Sequence, residues 1–116
     1  MRSQFFEHGY VRLSGAFPVE LASTMAEQVW TELERRHGMS PHLRATWTTI
    51  QPSGLGGLRK RKVFDALATP AVVATISDLL GTDTWPHPYC WGDALVTMPS
   101  PRHSAVPRTG WHIDFP

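Results

Sequence analysis

His112 and Asp114, one residue apart in Gly110-Trp111-His112-Ile113-Asp114-Phe115-Pro116, are the pair in this sequence best suited to hold a metal ion. Trp111, Ile113 and Phe115 alternate with them between a glycine and a proline, which is the period-2 pattern of a half-buried β-strand. On such a strand the two polar side chains project from one face, their Cα atoms about 6.5 Å apart. An imidazole nitrogen and a carboxylate oxygen then converge on one cation. They make two of the three ligands of the 2-His-1-carboxylate facial triad, which binds non-heme Fe(II) and leaves positions open for co-substrate and oxygen. The tripeptide alone is common, because about one chain in four of this composition would contain His-x-Asp by chance. The plain alternative is a strand whose His and Asp hydrogen-bond each other or water.

The rest of the chain must position that pair. At 116 residues it fits one domain and can bury somewhat over about 60% of its unfolded surface. Hydrophobic residues at 41% and charged residues at 18% are those of a globular protein, not of a disordered one. A formal net charge of +1 gives no support to nucleic acid or an anionic membrane as the main partner. The single Cys90 excludes an intrachain disulfide and a cysteine-rich zinc site, and suits a reducing compartment. No apolar run reaches transmembrane length and no signal-peptide pattern opens the chain, so the expectation is a cytoplasmic protein without a membrane partner.

Taken in order, Tyr10-Val11-Arg12-Leu13 reads as a brief strand between Gly9 and Ser14-Gly15. Pro18 opens the clearest helix, with Glu20 in its first turn, Arg35, Arg36 and His37 in its last, and Gly38 just beyond. Leu21, Met25, Val29 and Leu33 form its packing stripe, and Glu32 can pair with Arg36 on the outer face. Met39 to Lys62 reads as a long loop around a short strand at Thr46 to Ile50, with Ser53-Gly54-Leu55-Gly56-Gly57 as a flexible lid. Arg59-Lys60-Arg61-Lys62 is a basic run that reads as a solvated face, with grip on a ligand's anionic group as the functional alternative. Val63 to Ala68 suggests a helical turn, and Thr69-Pro70 caps a second helix that Gly81 stops. Trp85-Pro86-His87-Pro88 is stiffened by its prolines. Tyr89 to Met98 reads as a strand closed by Pro99 and Pro101, with Cys90 as a small buried hydrophobe.

Together these blocks resemble the phytanoyl-CoA dioxygenase family of Fe(II)/2-oxoglutarate oxygenases. Phe5-Phe6-Glu7-His8-Gly9-Tyr10-Val11 is similar to that family's opening aromatic-acid-Gly-Tyr-Val element, and the long helix after Pro18 follows in order. Leu67-Ala68-Thr69-Pro70 through Asp78-Leu79-Leu80-Gly81 is similar to its second helix with the Leu-Leu-Gly ending. Trp111-His112-Ile113-Asp114-Phe115 resembles its metal-binding Trp-His-x-Asp strand.

The resemblance implies an α+β fold, the N-terminal portion of a double-stranded β-helix (a cupin-like jelly-roll) with flanking helices, incomplete in this chain. Residues 1–116 would then be the N-terminal part of a single oxygenase domain. It makes His112 and Asp114 the iron ligands and 2-oxoglutarate the co-substrate. The family's second His and its 2-oxoglutarate-binding Arg lie further downstream, so a missing segment or a second chain is expected to complete the site. Thr97 stands near the place of a 2-oxoglutarate contact, although Val96-Thr97-Met98-Pro99 departs from the usual form. Trp91, Arg59 and Lys60 are the candidates for the substrate side, facing a small molecule. The rival from another class is a non-catalytic binding module on the same scaffold, in which His112 and Asp114 are only a hydrogen-bonded pair.

Overall fold

The computed structural model describes residues 1–99, so the His112/Asp114 strand expected from the sequence lies outside the described residues. Within them are four α-helices: α1 (Arg2–His8), α2 (Val19–His37), α3 (Gly56–Lys60) and α4 (Pro70–Leu80). Short 3-10 turns at Arg44–Thr46 and Asp65–Leu67 complete the regular structure.

The long helix α2 forms where the sequence predicts it. Its last turn is closed by Gly38 in the left-handed region at φ 65°, which lets the Gly38 N–H return to the Glu34 carbonyl at 2.9 Å and the Met39 N–H to that of Leu33. A β-carbon disfavours that conformation, so glycine suits the stop. The turn drops Met39, fully buried, beneath Leu33. Thr69 caps α4, its hydroxyl accepting from the Val72 N–H and donating to the Ala16 carbonyl at 2.7 Å. α1 packs against α4, and the Arg2 guanidinium hydrogen-bonds the Asp78 carbonyl.

Leu33, Met39, Leu55, Leu58 and Met98 form the buried core, with Val29, Trp30, Trp47, Val63, Phe64, Ala94 and Val96 packed around it. The stretch expected as a lid, residues 53–57, is exposed at Ser53, Gly54 and Gly56 but pinned into the core at Leu55. Leu55 and Leu58 are buried, and α3 grows from that stretch because residues three apart on a helix share a face. Five residues cannot hold a helix in water by themselves. Core burial of those two leucines stabilises α3.

The fold class expected from the resemblance is not what forms. Among the described residues there is no β-strand, only an isolated antiparallel bridge between Ser40 and Leu43, so the jelly-roll portion is corrected to a helical arrangement. Phe5 to His8 belong to α1, and Tyr10 to Leu13 are not a strand. The segment around Thr46 to Ile50 opens with a 3-10 turn. At 94–98 the period-2 pattern is nevertheless legible: Ala94, Val96 and Met98 turn inward while Leu95 and Thr97 face solvent. What it lacks is a ladder. One backbone bond, Met98 N–H to the Ile50 carbonyl at 2.7 Å, joins it to the 46–50 segment, and a strand needs a run of such bonds.

Candidate functional site

The basic run and the Trp85–Trp91 region, far apart in sequence, meet on one surface. Arg59 at the end of α3 donates from Nε to the Cys90 sulfur at 3.0 Å, and its Nη1 lies 4.0 Å from Asp93 Oδ2. The Cys90 hydrogen bond is the largest influence raising the Arg59 pKa, with burial opposing and Asp93 adding, and a guanidinium is in any case always a cation in a protein. Lys62 takes a left-handed backbone at φ 56°, a conformation uncommon for a residue with a β-carbon and concentrated at places where structure or function demands it. Its ammonium stands 4.7 Å over the Tyr89 ring and 3.6 Å from Asp65 Oδ2. Asp65 Oδ1 also accepts the Trp91 N–H at 3.1 Å. One carboxylate thus joins the basic run to the aromatic segment.

The aromatic side is a small stack. Trp85 and His87 lie face to face with centroids 4.5 Å apart, and Trp91 meets both edge-on at 6.0 and 6.1 Å. Trp85 Nε1 donates to Ser77 Oγ, tying the stack to α4. Gly92 is needed beside it. A β-carbon there would stand 2.9 Å from Phe64 Cβ and 3.1 Å from Phe64 Cγ, closer than packed carbons approach. Gly92→Ala is therefore expected to destabilise the chain by about 1–3 kcal/mol and to weaken the Asp65–Trp91 hydrogen bond. Gly56→Ala meets nothing within 4 Å and serves as the tolerated control in the same urea titration.

Of the residues singled out in the sequence, Arg59 and Trp91 are brought onto this surface together. Lys60 is exposed beside them, with no ion pair among the described residues. Thr97 lies apart, lining a recess of about 240 Å³ with Gln51, Pro52 and Ala94 to Val96. Cys90 is not a buried hydrophobe. It is half-buried and accepts a guanidinium hydrogen bond. The basic run is the solvated face its sequence suggests, with all four side chains exposed, and Arg59, Arg61 and Lys62 each also reach a carboxylate.

His112 and Asp114 lie outside the described residues. Among the described residues no group of three or more His, Cys, Asp or Glu comes together to hold a metal ion. No helix among them is long and apolar enough to cross a membrane. No family model, curated protein or solved structure matches the chain.

Neither the Asp65 bridge nor the Gly92–Phe64 contact has a local signal, because both join residues more than twenty positions apart. The Glu32–Arg36 pair expected from the sequence forms, in a larger cluster than expected. Glu32 lies three and four residues before Arg35 and Arg36, the spacing of helix ion pairs, and both bonds form. The third cation, Arg61 of the basic run, arrives from the far side at 2.8 Å. A pair expected on the outer face is in fact a buried carboxylate holding three guanidiniums.

Proposed function

We propose that the chain supplies an iron-binding pair, His112 and Asp114, to an Fe(II)/2-oxoglutarate-dependent dioxygenase of the phytanoyl-CoA dioxygenase type, a hydroxylase of small molecules in a cytoplasmic setting. The observation that carries this reading is the His-x-Asp pair framed by Trp111, Ile113 and Phe115, following in family order the blocks at residues 5–11 and 67–81. His112 donates a neutral imidazole nitrogen and Asp114 a carboxylate oxygen, leaving positions for the co-substrate and O2. The iron, once bound, supplies the oxidative chemistry with 2-oxoglutarate, while protein groups set geometry and access. Thr97, with an exposed side chain on its recess, is assigned to the 2-oxoglutarate side. Arg59, Lys60 and Trp91 are assigned to the substrate side, where a fixed cation beside indole rings suits a substrate with an anionic group and an apolar body.

Metal titration tests the pair directly. Mn(II) or Ni(II), as substitutes for Fe(II), should bind the chain weakly, and His112→Ala or Asp114→Ala should abolish that binding. His87→Ala, His103→Ala and Cys90→Ala should leave it in place. The imidazole must be neutral to donate, so affinity should rise with pH through the ordinary imidazole range, about 6.5. Binding that survives His112→Ala would sink the assignment.

A further inference from the structure

We infer that Arg36 and Arg61, drawn together by their shared carboxylate Glu32, form a clamp for a dianionic phosphate group beside the glycine-rich stretch at residues 53–57. The reasoning starts from an imbalance of charge. Arg35 donates from Nε and Nη2 to Glu32 Oε2 at 3.1 and 2.7 Å, Arg36 donates from Nε to the same oxygen at 3.1 Å, and Arg61 Nη1 lies 2.8 Å from Oε1. Three cations share one anion, a local surplus of two positive charges. Among the described residues no other carboxylate lies within ion-pair distance of these three guanidiniums.

The three arginines are not equivalent. Arg35 spends its fork on a single oxygen. Arg36 and Arg61 each give Glu32 one nitrogen of a guanidinium that carries five N–H donors, and about 38% and 51% of their side-chain surface stays exposed. One carboxylate therefore holds two half-used forks near each other at the surface. The neighbouring backbone leaves them room. Arg36 Nη1 lies 3.1 Å from where a β-carbon on Gly54 would stand, and Arg61 Nη1 lies 3.6 Å from the corresponding point at Gly57. Forked guanidiniums match the oxygen spacing of phosphate, and a phosphate near full ionisation carries the two negative charges that the cluster lacks. The proposal does not use His112 or Asp114, and its test does not depend on metal.

Calorimetric titration of the whole chain with inorganic phosphate, against chloride at matched ionic strength, reads the site. Saturable binding to phosphate and not to chloride is expected. Arg61→Gln and Arg36→Gln should each weaken it about tenfold, the loss of one charge-assisted contact, while Arg12→Gln should not. Phosphate should also raise the thermal midpoint of the wild type more than that of Arg61→Gln at the same concentration, a difference that a purely structural cluster would not show. Phenyl phosphate binding more tightly than inorganic phosphate would assign the group to a larger ligand, and equal affinity would assign it to the free ion. Equal response to chloride, or phosphate affinity unchanged in both arginine variants, would overturn the clamp.

Discussion

Leu58→Ala is expected to lower stability by about 2–5 kcal/mol, the cost of a cavity in a packed core. Leu58 is fully buried, facing Leu33, Met39, Leu55 and Met98, and these come from α2, the turn after it, the approach to α3 and the extended segment at 94–98. No single element can move in to fill the hole without pulling on another. The loss should also spread, because α3 is too short to survive without its buried face and it carries Arg59 on one side and leads into Arg61 on the other. Urea unfolding followed by tryptophan fluorescence measures the change. Leu95→Ala is the contrast, since Leu95 is 99% exposed and its truncation should fall within about 0.5 kcal/mol of the wild type. A loss at Leu58 no larger than that at Leu95 would show that these residues are not the core.

The two longest helices were legible because every local signal agreed. Pro18, the Leu21-Met25-Val29-Leu33 stripe, the basic last turn and Gly38 all mark the same boundaries, and Thr69, Pro70 and Gly81 do so for α4. Consistent local preferences reduce the number of competing structures. The strand expectations failed where period-2 alternation was the sole signal. Alternation says that one face is buried, and at Ala94, Val96 and Met98 one face is buried. It does not supply a neighbour with matching donors and acceptors, and the 46–50 segment, which starts with a 3-10 turn, offers one carbonyl.

Residues 39–62 were illegible for the opposite reason. Prolines and glycines break any helical or strand period, so flexibility was the natural inference, yet Met39, Leu55 and Leu58 are the most deeply buried side chains alongside Leu33. Burial there is set by α2 above and the 94–98 segment alongside, which no window of sequence contains. The substrate-side surface was partly legible. The basic run and the indoles were each visible as composition, but that Arg59 meets Cys90 and that Asp65 joins the two depends on contacts 26 and 31 residues apart.

Glu32→Gln is expected to lower stability at neutral pH and to flatten the acid limb of the stability profile. The Arg35 hydrogen bond is the largest influence on this carboxylate, followed by Arg61, with burial opposing and Arg36 adding, and together they lower its pKa from the ordinary 4.5 to about 2. Between those values the unfolded chain binds more protons than the folded one, so stability rises with pH across that window. The contribution is fully present above about 4.5 and is lost as pH falls through about 2. With Gln in place of Glu the proton linkage vanishes, because an amide does not titrate. The cost at pH 7 appears at the same time, since three guanidiniums then face a neutral group and repel one another. Removing one partner from such a network is more damaging than its pairwise contacts suggest, because the remaining charges are left uncompensated. Glu34→Gln removes an exposed carboxylate two residues away and should leave both the neutral-pH stability and the acid limb close to wild type. Urea midpoints collected from pH 2 to 7 for the three proteins decide the matter: if Glu32→Gln keeps the wild-type slope below pH 4.5, the carboxylate is not held by the three arginines as the fold places it.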